Sequence, residues 1–168
     1  MGRTRLAGAT LNHAGDHYRY TEVPMELRPH QHPHPPFWYP SSNPESSKWS
    51  GSAGLNFLTL GPTEHAGNCI KAYKEGYGMR GTPSGPALDF SGGTAYGVNR
   101  HIVIAETDEE ARQIAAPAYH RWYASLIKLW VDNNLPGPGF ARSTQGEVTA
   151  AIAEGSVIAG SPETVCAR

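Results

Sequence analysis

The stretch FWYPSSNPESSKW, residues 37–49, predicts a short strand, a tight loop and the first turns of a helix. Its opening aromatic run, Phe37–Tyr39, is typical of a short strand. Asn43 suits the N-cap of the helix, Pro44 suits its first position, and Glu45 lies where the helix dipole favours an acid. The stretch therefore predicts a strand-turn-helix unit whose helix N-terminus can offer unpaired amides to an anion.

The chain downstream repeats this strand-helix order. Because alternating units of this kind build parallel sheets, four of them predict either half of an eight-stranded (β/α)8 barrel or an open doubly wound sheet. A capping box of Thr107 and Glu110 predicts a helix that reaches toward Trp130, either continuous or broken at Pro117. The other predicted elements are a strand at Leu55–Leu60, a helix at Thr63–Tyr77, strands at Gly97–Ala105 and Ser156–Ala159, and a last helix start at Gly160–Glu163.

The N-terminal segment, Met1–Pro36, predicts a mostly irregular arm, so the chain is expected to divide into residues 1–36 and 37–168. No apolar residues recur in the arm at helical spacing, and its prolines remove backbone donors that a helix or sheet would use. Short strands are expected only at His17–Tyr20 and Met25–Arg28.

Composition and charge limit the classes of function. A chain of 168 residues is long enough for one domain with a core, and a net charge of -1 with a pI of about 6.7 argues against a nucleic-acid partner. The apolar runs are far shorter than the roughly 20 residues that cross a bilayer, so no membrane partner is expected. Cys69 and Cys166 match neither a metal-knuckle spacing nor a disulfide framework, which indicates a reducing, cytoplasmic compartment.

The segment Trp38–Ser46, with Trp49 after it, resembles the bacterial-luciferase-like flavin-dependent monooxygenases. The resemblance implies an α/β fold of the (β/α)8 TIM-barrel family, in which residues 37–168 supply strands five to eight with their helices. The first four strands have no counterpart, so we expect a truncated form or a shortened paralogue. Three further stretches resemble the family in the same order: Gly15–Pro36 its insertion arm, Arg100–Ala111 its seventh strand and helix start, and Val157–Val165 its eighth strand and following helix.

The resemblance also implies a reaction. Its relatives use reduced FMN, supplied by a flavin reductase, together with dioxygen to oxygenate a small organic substrate, and the protein positions the cofactor. The family's usual catalytic histidine and much of its flavin-ring pocket belong to the four strands without a counterpart, so no catalytic residue is assigned. The chain is therefore expected to be a homo-oligomeric, FMN-dependent monooxygenase that is weakly active or inactive alone.

The resemblance places the flavin phosphate on Ser42, Asn43 and Ser46, by side chain or backbone amide. Small hydroxyl and amide side chains at a helix start are also physically suited to an anion. The competing interpretation is that Asn43 only caps its own helix. Pro40 stands where many relatives have Gly, and this departure restricts how closely the backbone approaches the flavin ring.

Two other classes of function remain open from the residues alone. In the first, the chain is a non-catalytic half-barrel binding or assembly module that dimerises, since half a barrel leaves two sheet edges and an apolar interior uncovered. In the second, it is a flavodoxin-like or phosphosugar-binding sheet that holds a small anion at Asn43 and Ser46 without flavin.

Other conspicuous residues are interpreted as structural. His30, His32 and His34 alternate as metal ligands can, but no carboxylate or cysteine neighbour completes a site, so no metal is assigned. Arg100 and His101 begin a strand and are expected on the stability face of a barrel. A stripe at helical spacing is expected to be core or interface, and it consists of Trp122, Tyr123, Leu126, Leu129 and Trp130.

Overall fold

The computed structural model describes residues 10–27, 30–31, 35–81, 95–139, 142 and 144–168. The chain divides into two units, Met1–Phe37 and Trp38–Arg168. Among the described residues, no helix is both long and apolar enough to cross a bilayer.

The first unit contains an antiparallel hairpin. Strand β1, Thr10–Ala14, pairs with strand β2, Arg19–Pro24. The segment therefore contains one strand, β1, that the sequence did not predict, and the strand predicted at His17–Tyr20 begins later and runs further than expected. The strand predicted at Met25–Arg28 does not form over residues 25–27, and its last residue lies outside the described residues.

Polar pairing explains why the hairpin has little sequence signal. The Asn12 side-chain oxygen accepts from the Glu22 backbone amide at 2.9 Å, and its side-chain nitrogen donates to the Glu22 carboxylate. A register shift between Leu11 and His13 also interrupts the regular alternation of the strand. The hairpin thus depends on the backbone ladder and a cross-strand polar pair, which an apolar pattern does not reveal.

The second unit alternates strands and helices, as predicted. Its elements are β3 Trp38–Pro40, α1 Pro44–Ser52, β4 Asn56–Thr59, α2 Thr63–Gly78, β5 Tyr96–Val98, β6 His101–Ile104, α3 Asp108–Asp132, α4 Val148–Ala153, β7 Val157–Gly160 and α5 Pro162–Cys166. Strands β3, β4 and β5 form one parallel sheet, and β6 and β7 form another. The fold class is therefore α/β with parallel strands, and the described strands do not close into a barrel.

The single strand predicted at Gly97–Ala105 is divided into β5 and β6. The Asn99 amide donates to the Thr59 carbonyl at 2.8 Å, at the end of β4, whereas the His101 amide donates to the Ser156 carbonyl at 3.3 Å, just before β7. The chain therefore changes its hydrogen-bonding neighbour between these residues. The division follows from the stagger of the strands, because β4 ends at the level where β7 begins.

Helices α1 and α2 are in close contact through two glycines. A Cβ atom at Gly51 would lie 2.1 Å from the Tyr73 carbonyl oxygen, and one at Gly76 would lie 1.9 Å from the Lys48 carbonyl oxygen. Both distances are far inside van der Waals contact, so a side chain at either position forces the two helices apart. The glycines therefore set the spacing of the first two strand-helix units.

Two apolar clusters lie between the strands and the helices. In the first, Phe57 of β4 stacks on Tyr73 of α2 with ring centroids 5.2 Å apart, and Cys69 is fully buried beside them. The Tyr73 hydroxyl donates to the Leu55 carbonyl at 2.8 Å, so this buried polar group is satisfied. The second cluster joins α3 and α4 to β7 and consists of Ala111, Ala115, Tyr119, Ala151, Val157 and Ala159.

The side chains on the opposite face of the strands are largely exposed. Val103 packs against the second cluster, whereas Ile102 and Ile104 on either side of it are 57% and 56% exposed. In the same way, Tyr39 contacts α1 while the adjacent Trp38 is 52% exposed. Successive strand residues point to opposite faces, so this face exposes apolar side chains at Trp38, Ile102 and Ile104, whereas Leu58 and Ile158 on it are half-buried.

Helix α3 continues through Pro117 without a break. Pro117 lies on an exposed face, where water can satisfy the Gln113 carbonyl that proline leaves without an amide partner. At the N-terminus, the Thr107 hydroxyl accepts from the first-turn amide of residue 110 at 3.2 Å, which confirms the predicted cap. The apolar stripe in its second half is only partly core, since Trp122 packs against the second cluster whereas Leu129 is 69% exposed.

Candidate flavin-phosphate site

The candidate site is the N-terminus of α1, which we call the Asn43 cap (residues 41–47). The loop leaves the carboxyl end of β3, and the Ser41 amide donates to the Leu58 carbonyl of β4 at 2.9 Å. Pro44 occupies the first helical position, where its missing amide donor costs nothing. The site thus lies at the carboxyl end of parallel strands, where sheets of this kind bind ligands.

The hydrogen bonds of the loop confirm the predicted N-cap. Asn43 has extended backbone, and its Oδ1 accepts from the Ser46 amide at 3.1 Å. The Asn43 amide donates to the Ser41 hydroxyl oxygen at 3.0 Å, and the Ser47 hydroxyl donates to the Asn43 carbonyl at 2.7 Å. Because Ser47 is fully buried, its hydrogen bond to Asn43 anchors the loop to the protein interior.

Two hydroxyls at the Asn43 cap are available to a ligand. Ser42 and Ser46 are half-buried, and within the described residues neither hydroxyl has a hydrogen-bond partner. The Glu45 amide belongs to the first turn, where helical geometry provides no carbonyl acceptor. These donors fit a phosphate, although the exposed Glu45 carboxylate on the same turn opposes a second negative charge.

The structure brings the three predicted site residues together but gives them different tasks. Ser42 and Ser46 have hydroxyls without a partner among the residues that the structure describes, whereas the Asn43 side-chain oxygen is already bonded within the cap. The capping interpretation is confirmed for Asn43, and the contact of the phosphate with these residues stays a prediction. Asn43 orders the helix start, and the neighbouring serines can contact an anion.

His65 is a residue of the site that the sequence did not indicate. It lies in the first turn of α2, and its Nε2 donates to the Ser42 carbonyl at 2.7 Å, while the Cys69 Sγ lies 3.7 Å from the same nitrogen. This contact ties the N-terminus of α2 to the loop that precedes α1. No local pattern could have revealed it, because the two residues are separated by 23 positions.

A second helix N-terminus, that of α5, carries the same sequence signal but is closed. Ser161 caps the helix by accepting from the Thr164 amide at 3.3 Å. The Asp108 carboxylate accepts from the Ser161 amide at 2.7 Å and from the Thr164 hydroxyl at 3.0 Å. These bonds, that of the Ser161 amide first, hold the pKa of Asp108 below its ordinary value. A carboxylate of the chain thus already occupies this helix end.

Arg100 and His101, interpreted above as structural, form part of the wall of a cavity of about 290 Å³. Arg100 has a structural role, because it links its own segment to the loop after β4. Its Nη1 donates to the Gly61 carbonyl at 2.9 Å and to the Asn99 carbonyl at 3.0 Å. His101 begins β6, as predicted. Burial lowers the pKa of His101, which favours a neutral ring.

Two of the three alternating histidines of the arm lie outside the described residues. His32 and His34 are not among the described residues, so the interpretation of this run is not tested. In the part of the chain that is described, no three His, Cys, Asp or Glu side chains lie together as metal ligands do.

Comparisons with known proteins agree with the motif resemblance. Residues 3–168 match the family model described as luciferase-like monooxygenase. Over 133 residues, or 79% of its length, the chain is 32% identical to the uncharacterized protein y4wF of Sinorhizobium fredii, and it covers 37% of that protein.

Three solved structures have the same fold over nearly the whole chain. The monooxygenase RslO1 of Streptomyces bottropensis gives a TM-score of 0.69 at 22% identity, over 98% of this chain and 45% of that one. The coenzyme F420 dependent tetrahydromethanopterin reductase of Methanopyrus kandleri gives 0.61 at 14% identity, over 97% and 49%. The oxygenating constituent of 3,6-diketocamphane monooxygenase of Pseudomonas putida, a type II Baeyer-Villiger monooxygenase in complex with FMN, gives 0.52 at 16% identity, over 97% and 48%.

These likenesses show the fold, and the extent of the family match shows the family. The chain spans less than half the length of each relative, from 37% of y4wF to 49% of the reductase. Parallel strand-helix units, an open helix N-terminus at the carboxyl end of β3 and a family match from residue 3 to residue 168 agree with one another: the chain belongs to the luciferase-like monooxygenase family.

Proposed function

We propose that the chain is the C-terminal half of an FMN-dependent luciferase-like monooxygenase and that the Asn43 cap binds the flavin phosphate. The proposal is supported by Ser42 and Ser46, whose hydroxyls have no hydrogen-bond partner among the described residues. They lie at a helix N-terminus to which no described carboxylate is bonded. Asn43 contributes by ordering the first turn, so that its amides face the anion.

FMN fits the charge of the cap better than a more anionic flavin. The solved relatives include an FMN complex and an F420-dependent reductase. The Asn43 cap contains no Lys or Arg, and it carries Glu45. A site that holds phosphate by hydroxyls and amides alone favours the coenzyme with fewer negative groups, which is FMN.

Bound reduced flavin would supply the oxygenating chemistry with dioxygen and a small organic substrate, and a separate flavin reductase would supply the reduced flavin. The residues of this chain hold the phosphate end of the cofactor. Both cysteines, Cys69 and Cys166, are free, which supports a reducing compartment such as the cytoplasm.

The isolated chain is proposed to have weak or no turnover. Its strands leave an apolar face uncovered at Trp38, Ile102 and Ile104, where a complete barrel encloses the reacting part of the flavin. The same exposed face favours a second candidate function, a half-barrel module that dimerises and buries this surface against another copy.

Titration of the purified chain with FMN, followed by oxygen uptake with a flavin reductase and NADH, tests the proposal. We expect FMN fluorescence to change saturably and oxygen uptake to stay at the level of the reductase alone. Robust substrate oxygenation by the chain would contradict the proposed inactivity, and the absence of saturable FMN binding would contradict the cofactor.

Light scattering on the same sample tests the second candidate function. A dimer without FMN binding would favour the assembly module over the monooxygenase. A monomer that binds inorganic phosphate but not FMN would instead favour the simple anion-binding sheet.

A further inference from the structure

A cavity separate from the Asn43 cap lies beside helix α3. Its volume is about 290 Å³, just below the roughly 300–1,000 Å³ that is typical of small-molecule sites. Its wall includes groups that the proposed monooxygenase function does not use. They are Gly61, Arg100, His101, Tyr119, Trp122 and Ser156.

One side of the cavity is aromatic and fixed. The His101 and Trp122 rings meet edge-to-face with centroids 4.3 Å apart, and Tyr119 stacks on Trp122 with centroids 5.3 Å apart. The Tyr119 hydroxyl shares a buried hydrogen bond of 3.0 Å with the Thr144 hydroxyl, which fixes the orientation of the ring. The wall is therefore a preformed surface for a planar ring.

The other side of the cavity is cationic. Arg100 is held by the Gly61 and Asn99 carbonyls, and no carboxylate lies within 4.0 Å of its guanidinium among the described ion pairs. The acid nearest the lining in sequence, Glu154, accepts from the Ser156 hydroxyl instead. The guanidinium has five donors: the carbonyls take those of Nη1, and Nη2 donates to the Thr63 hydroxyl at 3.5 Å. The Nε donor and the second Nη2 donor remain for an anion.

We propose that this cavity binds a small planar aromatic carboxylate, with its ring on Trp122 and His101 and its carboxylate on Arg100. The ring of such a ligand buries apolar area on the aromatic side, and its charge neutralises the half-buried guanidinium. His101 contributes ring surface rather than charge, because burial lowers its pKa. The site does not depend on the Asn43 cap and is tested without flavin.

Benzoate is the probe, and isothermal titration calorimetry on the full chain without FMN is the measurement. We expect saturable binding, at least about tenfold weaker binding of the uncharged analogue benzamide, and a similar loss of benzoate affinity in Arg100→Gln. Arg121→Gln is the matched control, since Arg121 is an exposed arginine next to Trp122 and its replacement makes the same change in net charge. This control is expected to bind benzoate as the wild type does.

Three outcomes would overturn the proposal: no saturable benzoate binding, equal affinity for benzoate and benzamide, or an unchanged affinity in a folded Arg100→Gln chain. If Arg100→Gln unfolds because the Gly61 contact is lost, Trp122→Leu and the benzoate-benzamide comparison on wild type still decide. Trp122→Leu is expected to weaken binding by about tenfold through the loss of ring contact. Failure of either test leaves FMN binding at the Asn43 cap unaffected.

Discussion

The N-termini of α1 and α5 begin with nearly the same sequence, and they differ in what lies opposite them. Asn43 and Ser161 are each followed by proline and glutamate, and each side chain caps its helix. At α5 the Asp108 carboxylate, 53 residues earlier, bonds to the Ser161 amide. At α1 the neighbour is the His65 imidazole, which bonds to a carbonyl of the loop, and the Ser42 and Ser46 hydroxyls have no partner in the described part of the chain.

A capping motif does not by itself make an anion site. An N-terminus that a carboxylate of the chain already satisfies has little left to offer a phosphate, because its positive end is neutralised. At α1, His65 bonds to a loop carbonyl, so the donors of the helix N-terminus stay available to a ligand. The tertiary neighbour therefore decides which of two similar motifs can hold a ligand.

The largest expected effect comes from a substitution that forces α1 and α2 apart, because His65 of α2 contacts the loop of the Asn43 cap. In Gly76→Ala the new methyl group would overlap the Lys48 carbonyl oxygen at 1.9 Å, with backbone on both sides. We expect a loss of about 3 kcal/mol or more in the free energy of unfolding and a Tm lower by roughly 10 °C. Urea unfolding followed by circular dichroism measures it.

The matched control lies on the same helix. Gly67 is exposed, and nothing lies within 4 Å of a Cβ placed there, so Gly67→Ala is expected to stabilise the chain by about 0.5–1 kcal/mol through helix propensity. Equal stability of Gly76→Ala and wild type would show that the two helices are not in the described contact.

Removal of the two caps should affect stability alike and FMN affinity differently. Asn43→Ala and Ser161→Ala each lose a side-chain bond to a first-turn amide, so each is expected to cost about 1 kcal/mol in the free energy of unfolding. Only Asn43→Ala is expected to weaken FMN binding, by about tenfold, because the first turn of α1 frays. A loss of FMN affinity in Ser161→Ala would remove the distinction between the caps.

Acid is expected to weaken the hydrogen bonds between the Asp108 carboxylate and the N-terminus of α5. The pKa of Asp108 is below its ordinary value of 3.8 in the folded chain, so its contribution to stability is present above about pH 4 and is lost as the pH falls further. Asp108→Asn is therefore expected to show a shallower fall of the urea midpoint between about pH 5 and pH 3. Glu109→Gln, an exposed neighbour, is the control. Identical acid slopes for Asp108→Asn and wild type would contradict the assignment.

The smallest expected effect comes from removing the Glu45 carboxylate, which repels a phosphate at the Asn43 cap. Glu45→Gln keeps the size of an exposed side chain in the first turn and removes its negative charge. We expect FMN to bind about two- to fivefold more tightly, with the difference shrinking at high salt. Lys48→Gln, the next turn's exposed charge, is expected to change affinity in the opposite direction or not at all. Tighter FMN binding by both variants would show that the effect is not specific to the cap.

Features that depend on nearby residues could be predicted from the sequence. The caps at Asn43, Thr107 and Ser161 are bonds between a side chain and an amide three residues later, so the local pattern is sufficient to recognise them. The alternation of strands and helices follows from the same local signals. Helix α4 has no such signal, because its N-cap residue, Glu147, makes no side-chain bond.

Features that depend on distant residues could not be predicted. The division between β5 and β6 follows from the stagger of β4 and β7, which no single segment encodes. The contact of His65 with Ser42 and the grouping of Arg100 with Trp122 likewise require the fold. The predicted site residues were therefore identifiable by motif, whereas the residues that support them or form the cavity were not.

The most direct test of the central claim is the affinity of the chain for FMN relative to riboflavin, which lacks the phosphate. Wild type is expected to prefer FMN, and the double variant Ser42→Ala/Ser46→Ala is expected to lose about tenfold or more of that preference while its affinity for riboflavin stays the same. The double variant Ser161→Ala/Thr164→Ala at the closed cap is expected to keep the preference of wild type. An unchanged preference for FMN in the Ser42→Ala/Ser46→Ala chain would contradict the assignment of the phosphate to the Asn43 cap.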